Sequence, residues 1–168
     1  MTRCKPERDP TQVKLIFFVC IALLLAVVIV ANNVKAYKWF FELLLIGLGT
    51  AAIAVVYRYS MSEMEYEVGN GDFNVYKKVG QKVSLVCSLD LSTALTLIPK
   101  SEFVAKQAEK AIPFINVRYN FNQNIRCKSS YVYVCEFNGK TASVEFEPNE
   151  PFVRIMLEEI EKSKADKG

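Results

Sequence analysis

The chain offers few of the side chains that enzymes use for nucleophilic or metal chemistry. Histidine is absent from its 168 residues, which excludes a Ser-His-Asp triad, a Cys-His pair and most catalytic zinc sites. An odd number of cysteines at irregular intervals is typical of reduced thiols rather than of a disulfide framework. The five are Cys4, Cys20, Cys87, Cys127 and Cys135, without a C-x-x-C pair among them. We expect the strand cysteines to fill the core, and no metal or cofactor site.

Carboxylates are the remaining candidates for acid–base chemistry. Asp90, in the segment SLDLS, is the one acid at the end of a predicted strand that merits a test. An Asx-type turn is the more common role at such a position. Two further groups of acidic residues are interpreted as solvent-exposed. One lies on the exposed face of a strand (Glu63, Glu65, Glu67) and the other on the exposed face of a helix (Glu158, Glu159, Glu161). We therefore assign no catalytic, cofactor-binding or metal-ligating residue and expect a protein that is not an enzyme.

Two apolar runs, residues 13–32 and 39–58, are each long enough to cross a membrane. At about 1.5 Å of rise per residue, roughly 20 helical residues span a hydrocarbon core of about 30 Å. The residues between the runs suffice only for a turn. We predict a transmembrane hairpin over residues 13–59, preceded by a short segment 1–12. A cleaved signal peptide is the alternative for the first run, but the run is long for one and a second span follows directly.

Basic residues predict the orientation of this hairpin. Four precede the first span and two lie in the turn: Arg3, Lys5, Arg8 and Lys14 against Lys35 and Lys38. Since Lys and Arg are enriched on the cytoplasmic side, we expect a multi-pass plasma-membrane protein with both termini in the cytoplasm. Residues 60–168 carry fourteen Lys or Arg and fifteen Asp or Glu. This balance lacks the basic footprint of a nucleic-acid-binding domain, so no nucleic-acid partner is expected.

Polar and small residues within the two runs indicate packing rather than transport. Gly47 and Ala51 lie four apart, a spacing that lets helix backbones approach closely. Packing of the hairpin on itself is the favoured interpretation, and self-association is a compatible alternative. Glu42 is the only acid in either run and follows Lys38 by four residues. We expect it to reach the membrane interface rather than to form a site in the bilayer.

Two hairpins are specified unusually well. Glu63, Glu65 and Glu67 alternate with apolar residues up to Asn70-Gly71, which suits a type I′ turn. The same dipeptide type recurs at Asn138-Gly139. Counting outward from the turns predicts the opposed pairs Val68–Phe73, Tyr66–Val75 and Glu63–Lys78 in the first hairpin. In the second it predicts Tyr131–Phe146, Tyr133–Val144 and Cys135–Ala142.

The rest of residues 60–168 alternates between further strands and two helices. After a turn at Gly80-Gln81, residues 82–90 read as a strand with Val83, Leu85, Cys87 and Leu89 on one face. Residues 93–98 and 115–121 predict two more strands. Residues 101–111 predict a short helix capped by Ser101, with Glu102 and Lys106 paired. The last helix follows Asn149 and has an apolar stripe of Val153, Met156, Leu157 and Ile160, with Phe152 beside it.

Seven strands, an interruption after the fourth and a C-terminal amphipathic helix resemble the pleckstrin-homology-like (PH-like) fold. More narrowly, the chain is similar to bacterial membrane proteins with two spans followed by such a domain. The resemblance is carried by EMEYEVGNGDFNVYK, SLDLS and FNGKTASVEFEPNE. It implies a helical transmembrane hairpin plus a mainly-β (α+β) domain at residues 60–168, a seven-stranded antiparallel sandwich or half-barrel capped by a helix. It implies architecture and no chemistry.

Three classes of function remain, and an interaction module is the favoured one. Phosphoinositide-binding PH domains carry basic residues around the loop that joins their first two strands, where this chain has a minimal V-G-N-G-D-F turn. Specific headgroup binding is therefore not expected, although Lys77, Lys78 and Lys82 permit a weak attraction to anionic lipid. A domain tethered so closely meets only partners at the membrane. We expect an integral membrane scaffold with a membrane protein partner or self-association, with lipid or small-ligand sensing as the alternative.

Overall fold

The computed structural model describes residues 1–33, 38–127 and 129–166. The chain divides into two compact units. One consists of Met1–Arg8 together with Glu63–Gly168, and the other of Asp9–Ser62. Most of the turn predicted between the two apolar runs, including Lys35, lies outside the described residues. The division differs from the predicted one at its N-terminal end, because the first eight residues fold with the domain rather than forming a separate segment.

The unit Asp9–Ser62 contains two apolar helices long enough to cross a membrane. Helix α1 spans Pro10–Asn33 and α2 spans Lys38–Val56, with a π-helical turn continuing over Tyr57–Met61. None of the residues of α1 or α2 is buried within the chain. The Lys38 ammonium lies 3.9 Å from the Glu42 carboxylate, four residues on. A Cβ added at Gly47 would meet no described atom within 4 Å, so close packing of the hairpin on itself at this residue is not seen.

The first sheet of the domain has four strands in the order β1-β2-β3-β4. They span Thr2–Cys4, Ser62–Gly69, Asp72–Val79 and Lys82–Asp90. Asn70 and Gly71 have φ values of 57° and 81°, the two left-handed positions that the type I′ turn requires. Strand β1 was not predicted from the sequence. It pairs antiparallel with β2, opposing Thr2 to Val68 and Cys4 to Tyr66.

A β-bulge at Val86 changes the faces that strand β4 presents. Val75 on β3 opposes Cys87, whereas the next residue, Tyr76, opposes Leu85. Val86 is therefore the extra residue, and alternation is reset on its N-terminal side. Leu89 is buried, while Leu85 lies on the outer face opposite Tyr76 and is 55% exposed. The predicted common face is thus wrong for its N-terminal half, Val83 and Leu85, because a period-two count cannot register an inserted residue.

The second sheet has the order β5-β7-β8-β6. Its strands span Ala94–Pro99 (β5), Val117–Asn120 (β6), Tyr131–Phe137 (β7) and Lys140–Phe146 (β8). The register of β7 with β8 is the predicted one, from Tyr131–Phe146 to Cys135–Ala142. Strand β6 runs parallel to β8. The described residues therefore form eight strands rather than seven, and the prediction of a wholly antiparallel arrangement is wrong at this pair.

Two helices complete the domain. Helix α3 spans Lys100–Ala108 and begins after Pro99, so Ser101 lies inside the helix and is not its cap. The predicted Glu102–Lys106 pair is present at 2.7 Å. Helix α4 spans Glu150–Ala165, and the Asn149 side chain accepts a hydrogen bond of 3.0 Å from the Phe152 backbone N–H. This is the predicted cap.

The main core lies between the inner faces of both sheets and helix α4. Its largest buried side chains include Tyr66, Phe73, Phe146 and Phe152, with Tyr66 and Phe146 meeting edge to face at 5.2 Å. Helix α4 contributes Phe152, Val153, Met156 and Ile160 to the buried residues. Leu157 is 44% exposed, so it does not belong to the predicted apolar stripe. The helix covers the core as expected, but its buried face is centred on Met156 and includes Phe152.

Candidate functional site

Asp90 lies in a structural turn. Its carboxylate oxygen Oδ1 accepts hydrogen bonds from the Ser92 backbone N–H at 2.8 Å and from the Ser92 hydroxyl at 2.6 Å. Asp90 thereby caps a short 3₁₀ turn over Leu91–Thr93 that joins β4 to β5. This is the Asx-type role expected from the sequence.

The cysteines of the domain are buried or half-buried free thiols. Burial raises the pKa of the Cys4 and Cys87 thiols, and it raises that of Cys135 to about 11. Burial, with Glu147 close by, raises the pKa of Cys127 to about 12. A thiol must ionise to act as a nucleophile or metal ligand, so these positions are poorly suited to either. Among the described residues no group of three His, Cys, Asp or Glu side chains is placed to hold a metal ion.

A groove of about 280 Å³ lies between helix α3 and the outer face of the second sheet. Its apolar wall comes from Phe103, Val104 and Val132. Helix α3 is held there because Phe103 packs with Val132 and with other apolar side chains in a small second core. Val104, one residue on, remains 57% exposed. The groove therefore has a fixed apolar floor and an accessible apolar rim.

The polar side of the groove is built around Glu145. Its oxygen Oε1 accepts from the Lys100 ammonium at 2.6 Å, from the Asn122 amide at 2.5 Å and from the Ser130 hydroxyl at 3.1 Å. These contacts tie the start of α3 to strand β8 and to the segment after β6. Arg118 also lines the groove, exposed and with no ion pair among the described residues. One uncompensated cation thus lies beside an apolar wall, an arrangement that favours an anionic or acidic amphipathic occupant.

Strand β6 forms the open side of this groove. It contributes Arg118, Tyr119 and Asn120, and Tyr119 is stacked on Phe121 with ring centroids 6.0 Å apart. Strand β6 is last in the sheet order, with β8 on one side and no described strand on the other. A free sheet edge can accept an extended peptide by backbone pairing. Groove and edge therefore present side-chain and backbone recognition elements together.

Ion pairs join the N-terminal segment of the chain to strand β2. The Arg3 guanidinium donates through Nε to Glu67 at 2.5 Å, and its Nη1 lies 3.4 Å from Glu65. The Lys5 ammonium lies 2.8 Å from Glu63. The hydrogen bond to Glu67 raises the pKa of Arg3, and the one from Lys5 lowers the pKa of Glu63. The three glutamates are therefore paired across β1, and Glu67 is buried rather than solvated as predicted.

Further contacts hold the segment that follows β1. The Asn124 amide donates to the Glu7 carbonyl oxygen at 2.8 Å and to the Glu147 carboxylate at 3.1 Å. Gln123 accepts from the Met64 backbone N–H at 2.7 Å. The polar stretch after β6 thus anchors residues from both ends of the domain. One sequence feature could have predicted the ion pairs of β1 with β2. Arg3 and Lys5 are spaced two apart, like the glutamates of β2.

Comparison with known proteins identifies the family. A model described as bacterial PH-like domain (DUF6106) matches residues 6–165. The chain belongs to this family. No curated protein and no solved structure matches it. The match extends over both apolar helices, strands β2 to β8 and helix α4, and it begins after β1. The region that matches the family therefore includes the helical pair. The resemblance noted in the sequence is confirmed.

Proposed function

We propose that this bacterial PH-like protein is a non-enzymatic scaffold, anchored by two membrane-spanning helices in the plasma membrane. The chain leaves the domain at Arg8 and re-enters it at Glu63, with both apolar helices between these points. Two crossings return a chain to the side that it left, which supports a multi-pass topology with both termini on one side. The excess of basic residues before the first span favours the cytoplasm for that side.

The proposed scaffold role rests on the groove beneath α3. We infer that it receives an extended segment of a membrane protein partner, with an apolar side chain against Phe103 and Val104 and an acidic one near Arg118. The free edge of β6 supplies backbone pairing to such a segment. The connections between the domain and the apolar helices are short: five residues lie between β1 and α1, and β2 begins at Ser62, directly after the helical turn that ends at Met61. The groove would therefore meet partners embedded in the same membrane at a high effective concentration.

A photo-crosslinking amino acid at Val104 in the full-length protein tests this function in its native membrane. We expect a crosslinked protein whose attached peptide contains an acidic residue, and we expect Arg118→Glu to reduce the yield at least about tenfold. Arg154→Glu is the matched control, because Arg154 is exposed on α4 away from the groove. Equal yields from the two variants would refute a role for the groove charge.

Ligand sensing is the second candidate, supported by the position of Arg118 beside the apolar wall. The groove volume of about 280 Å³ is just below the range for small-molecule sites, about 300–1,000 Å³, so the occupant would be a small acid. A small acid bound there would protect the Val104 probe from crosslinking to any protein and would raise the melting temperature of wild type but not of Arg118→Glu. That result would replace the scaffold proposal with a sensor. Self-association remains a further proposal, tested by a crosslink from Val104 to a second copy.

A further inference from the structure

The two faces of strand β6 carry different side chains. Arg118 pairs with Ser143 on β8, a residue that lines the groove. Tyr119 pairs with Val144, which is buried in the main core. Paired residues of neighbouring strands have their side chains on one face, so the Arg118 side chain lies on the groove face and that of Tyr119 on the core face. Tyr119 is nevertheless 38% exposed, because no described strand follows β6 in the sheet order.

The Tyr119 ring is held in place by the ring of Phe121. The two rings are stacked, with an angle of 4° between their planes. Phe121 in turn packs against the main core, and its carbonyl oxygen accepts a hydrogen bond of 2.9 Å from the Tyr66 hydroxyl. Phe121 therefore fixes a partly exposed aromatic surface at the edge of the sheet, next to the place where a further strand would lie.

The backbone of Arg118 points towards the open edge of β6. The Phe121 backbone N–H donates to the Glu145 carbonyl oxygen of β8 at 2.8 Å. Successive residues of a strand direct their N–H and C=O groups to alternate sides, and residue 118 is an odd number of positions from residue 121. The N–H and C=O groups of Arg118 therefore point away from β8. In an antiparallel strand added at this edge, one residue would exchange both hydrogen bonds with Arg118.

Arg118 is also the cation of the groove face that the ion pairs of the described residues leave available. Lys100 lies 2.6 Å from Glu145, so these two charges compensate each other. On α3, Lys106 lies 2.7 Å from Glu102. A carboxylate on the residue opposite Arg118 would meet a planar guanidinium that can donate two parallel hydrogen bonds to it.

We propose that the edge of β6 recognises an antiparallel segment of a protein partner in which an aromatic residue directly precedes an aspartate or glutamate. The motif rests on the proposed function, because it specifies the segment that the groove and the free edge would select. When the acid lies opposite Arg118 in an antiparallel pair, the residue before it lies opposite Tyr119. The acid then faces the groove and the aromatic ring packs against Tyr119 and Phe121. Arg118 and Tyr119 are the specificity-determining residues.

Selection of displayed peptides on the full-length protein in nanodiscs tests the motif. The probe is a phage library of random octapeptides, and the bound sequences are counted. An aromatic pair across two strands contributes up to about fivefold to binding. We therefore expect aromatic–acid dipeptides to be enriched about fivefold over the reversed order, acid–aromatic. A parallel segment would require the reversed order, so its enrichment would overturn the proposal.

Two variants separate the roles of the two side chains. Arg118→Glu should abolish the preference for the acid and retain that for the aromatic residue. Tyr119→Thr should abolish the preference for the aromatic residue and retain that for the acid. Phe114→Thr is the control, because Phe114 lies in the loop before β6 and is 83% exposed; it should change neither preference. Loss of both preferences in each variant would report damage to the edge and would overturn the assignment.

The photo-crosslinking amino acid at Val104 distinguishes failure of the motif from failure of the proposed function. If Val104 captures a membrane protein through an acidic segment but the selection enriches no aromatic–acid dipeptide, the motif is overturned and the scaffold role stands. If neither experiment yields a bound segment, the proposed function fails together with the motif.

Discussion

The pairing of the N-terminal strand with β2 is testable by two substitutions of the same kind. Glu67→Gln and Glu65→Gln change neighbouring carboxylates on one face of one strand, both facing Arg3. The Glu67 side chain is 5% exposed and accepts from Arg3 at 2.5 Å and from the Tyr76 hydroxyl at 3.3 Å. The Glu65 side chain is 26% exposed and lies 3.4 Å from Arg3. Burial is the main difference between the two sites.

The expected magnitudes follow from that difference. Hydrogen bonds to a buried charged acceptor contribute about 1.5–3 kcal/mol, and a glutamine oxygen retains part of this, so we expect the loss of the Glu67 carboxylate to cost about 1–2 kcal/mol. For the more exposed Glu65 we expect less than about 0.5 kcal/mol, because solvent screens such pairs. Compared with wild type, opening of β1 should then be about 5–30 times more frequent in Glu67→Gln. In Glu65→Gln it should be at most about twice as frequent.

Hydrogen exchange of the peptide covering residues 1–8, followed by mass spectrometry, measures this opening directly. It does not require the whole chain to unfold in one step. Equal acceleration in both variants would refute the argument that the buried carboxylate holds the strand. Exchange of the wild-type peptide at the rate of an unstructured chain would refute the strand itself, and the domain would then begin at Ser62.

Three further predictions concern the core and its turns. Tyr66→Phe should destabilise the domain by about 1–3 kcal/mol in urea unfolding. The buried Tyr66 hydroxyl donates to the Phe121 carbonyl oxygen at 2.9 Å and accepts from the backbone N–H of Glu147 at 3.2 Å. A change in unfolding free energy within experimental error would contradict the role of that hydroxyl. The raised pKa values of Cys127 (about 12) and Cys135 (about 11) mean that the folded state keeps protons which the unfolded state releases above its thiol pKa near 9. Under reducing conditions, stability should therefore be fully present below about pH 9 and fall as the pH rises towards 11–12, with a shallower fall in Cys135→Ala. Gly139→Ala should lower the free energy of unfolding by about 1–2 kcal/mol in the same assay, because φ is 70° at this residue. A Cβ there would meet no described atom within 4 Å, so the whole effect should come from backbone strain. An unchanged free energy of unfolding would argue against the left-handed turn.

The parts of the fold that the sequence predicted are those determined over short distances. Asn138-Gly139 requires left-handed backbone at both positions, and Asn138 adopts a φ of 51°. Once that turn is placed, period-two alternation fixes every pair from Phe137–Lys140 to Tyr131–Phe146. The cap at Asn149 is local in the same way. Neighbouring residues carry all the information for these features.

The parts that could not be predicted depend on distant residues or on an irregularity. Strand β1 pairs residues 64 apart, such as Arg3 with Glu67, and three residues are too few for an alternating pattern. The bulge at Val86 inserts one residue into a run that is apolar on both sides, so the alternation itself does not reveal it. The groove likewise depends on packing of α3 over the second sheet, which no local motif specifies.

Strand β1 makes the apolar helices an insertion within the domain rather than an anchor placed before it. A fragment beginning near residue 61 would lack β1, leaving Glu67 without its main cationic partner and the β2 edge unpaired. An open edge of eight residues pairs readily with other chains. Binding of such a fragment to a partner, or its flotation with vesicles, could therefore be caused by the exposed β2 edge as readily as by the native surfaces. Because Cys4 also packs into the main core, the fragment would in addition lose stability. Assays of the groove belong on the full-length chain, where both ends of the domain are present.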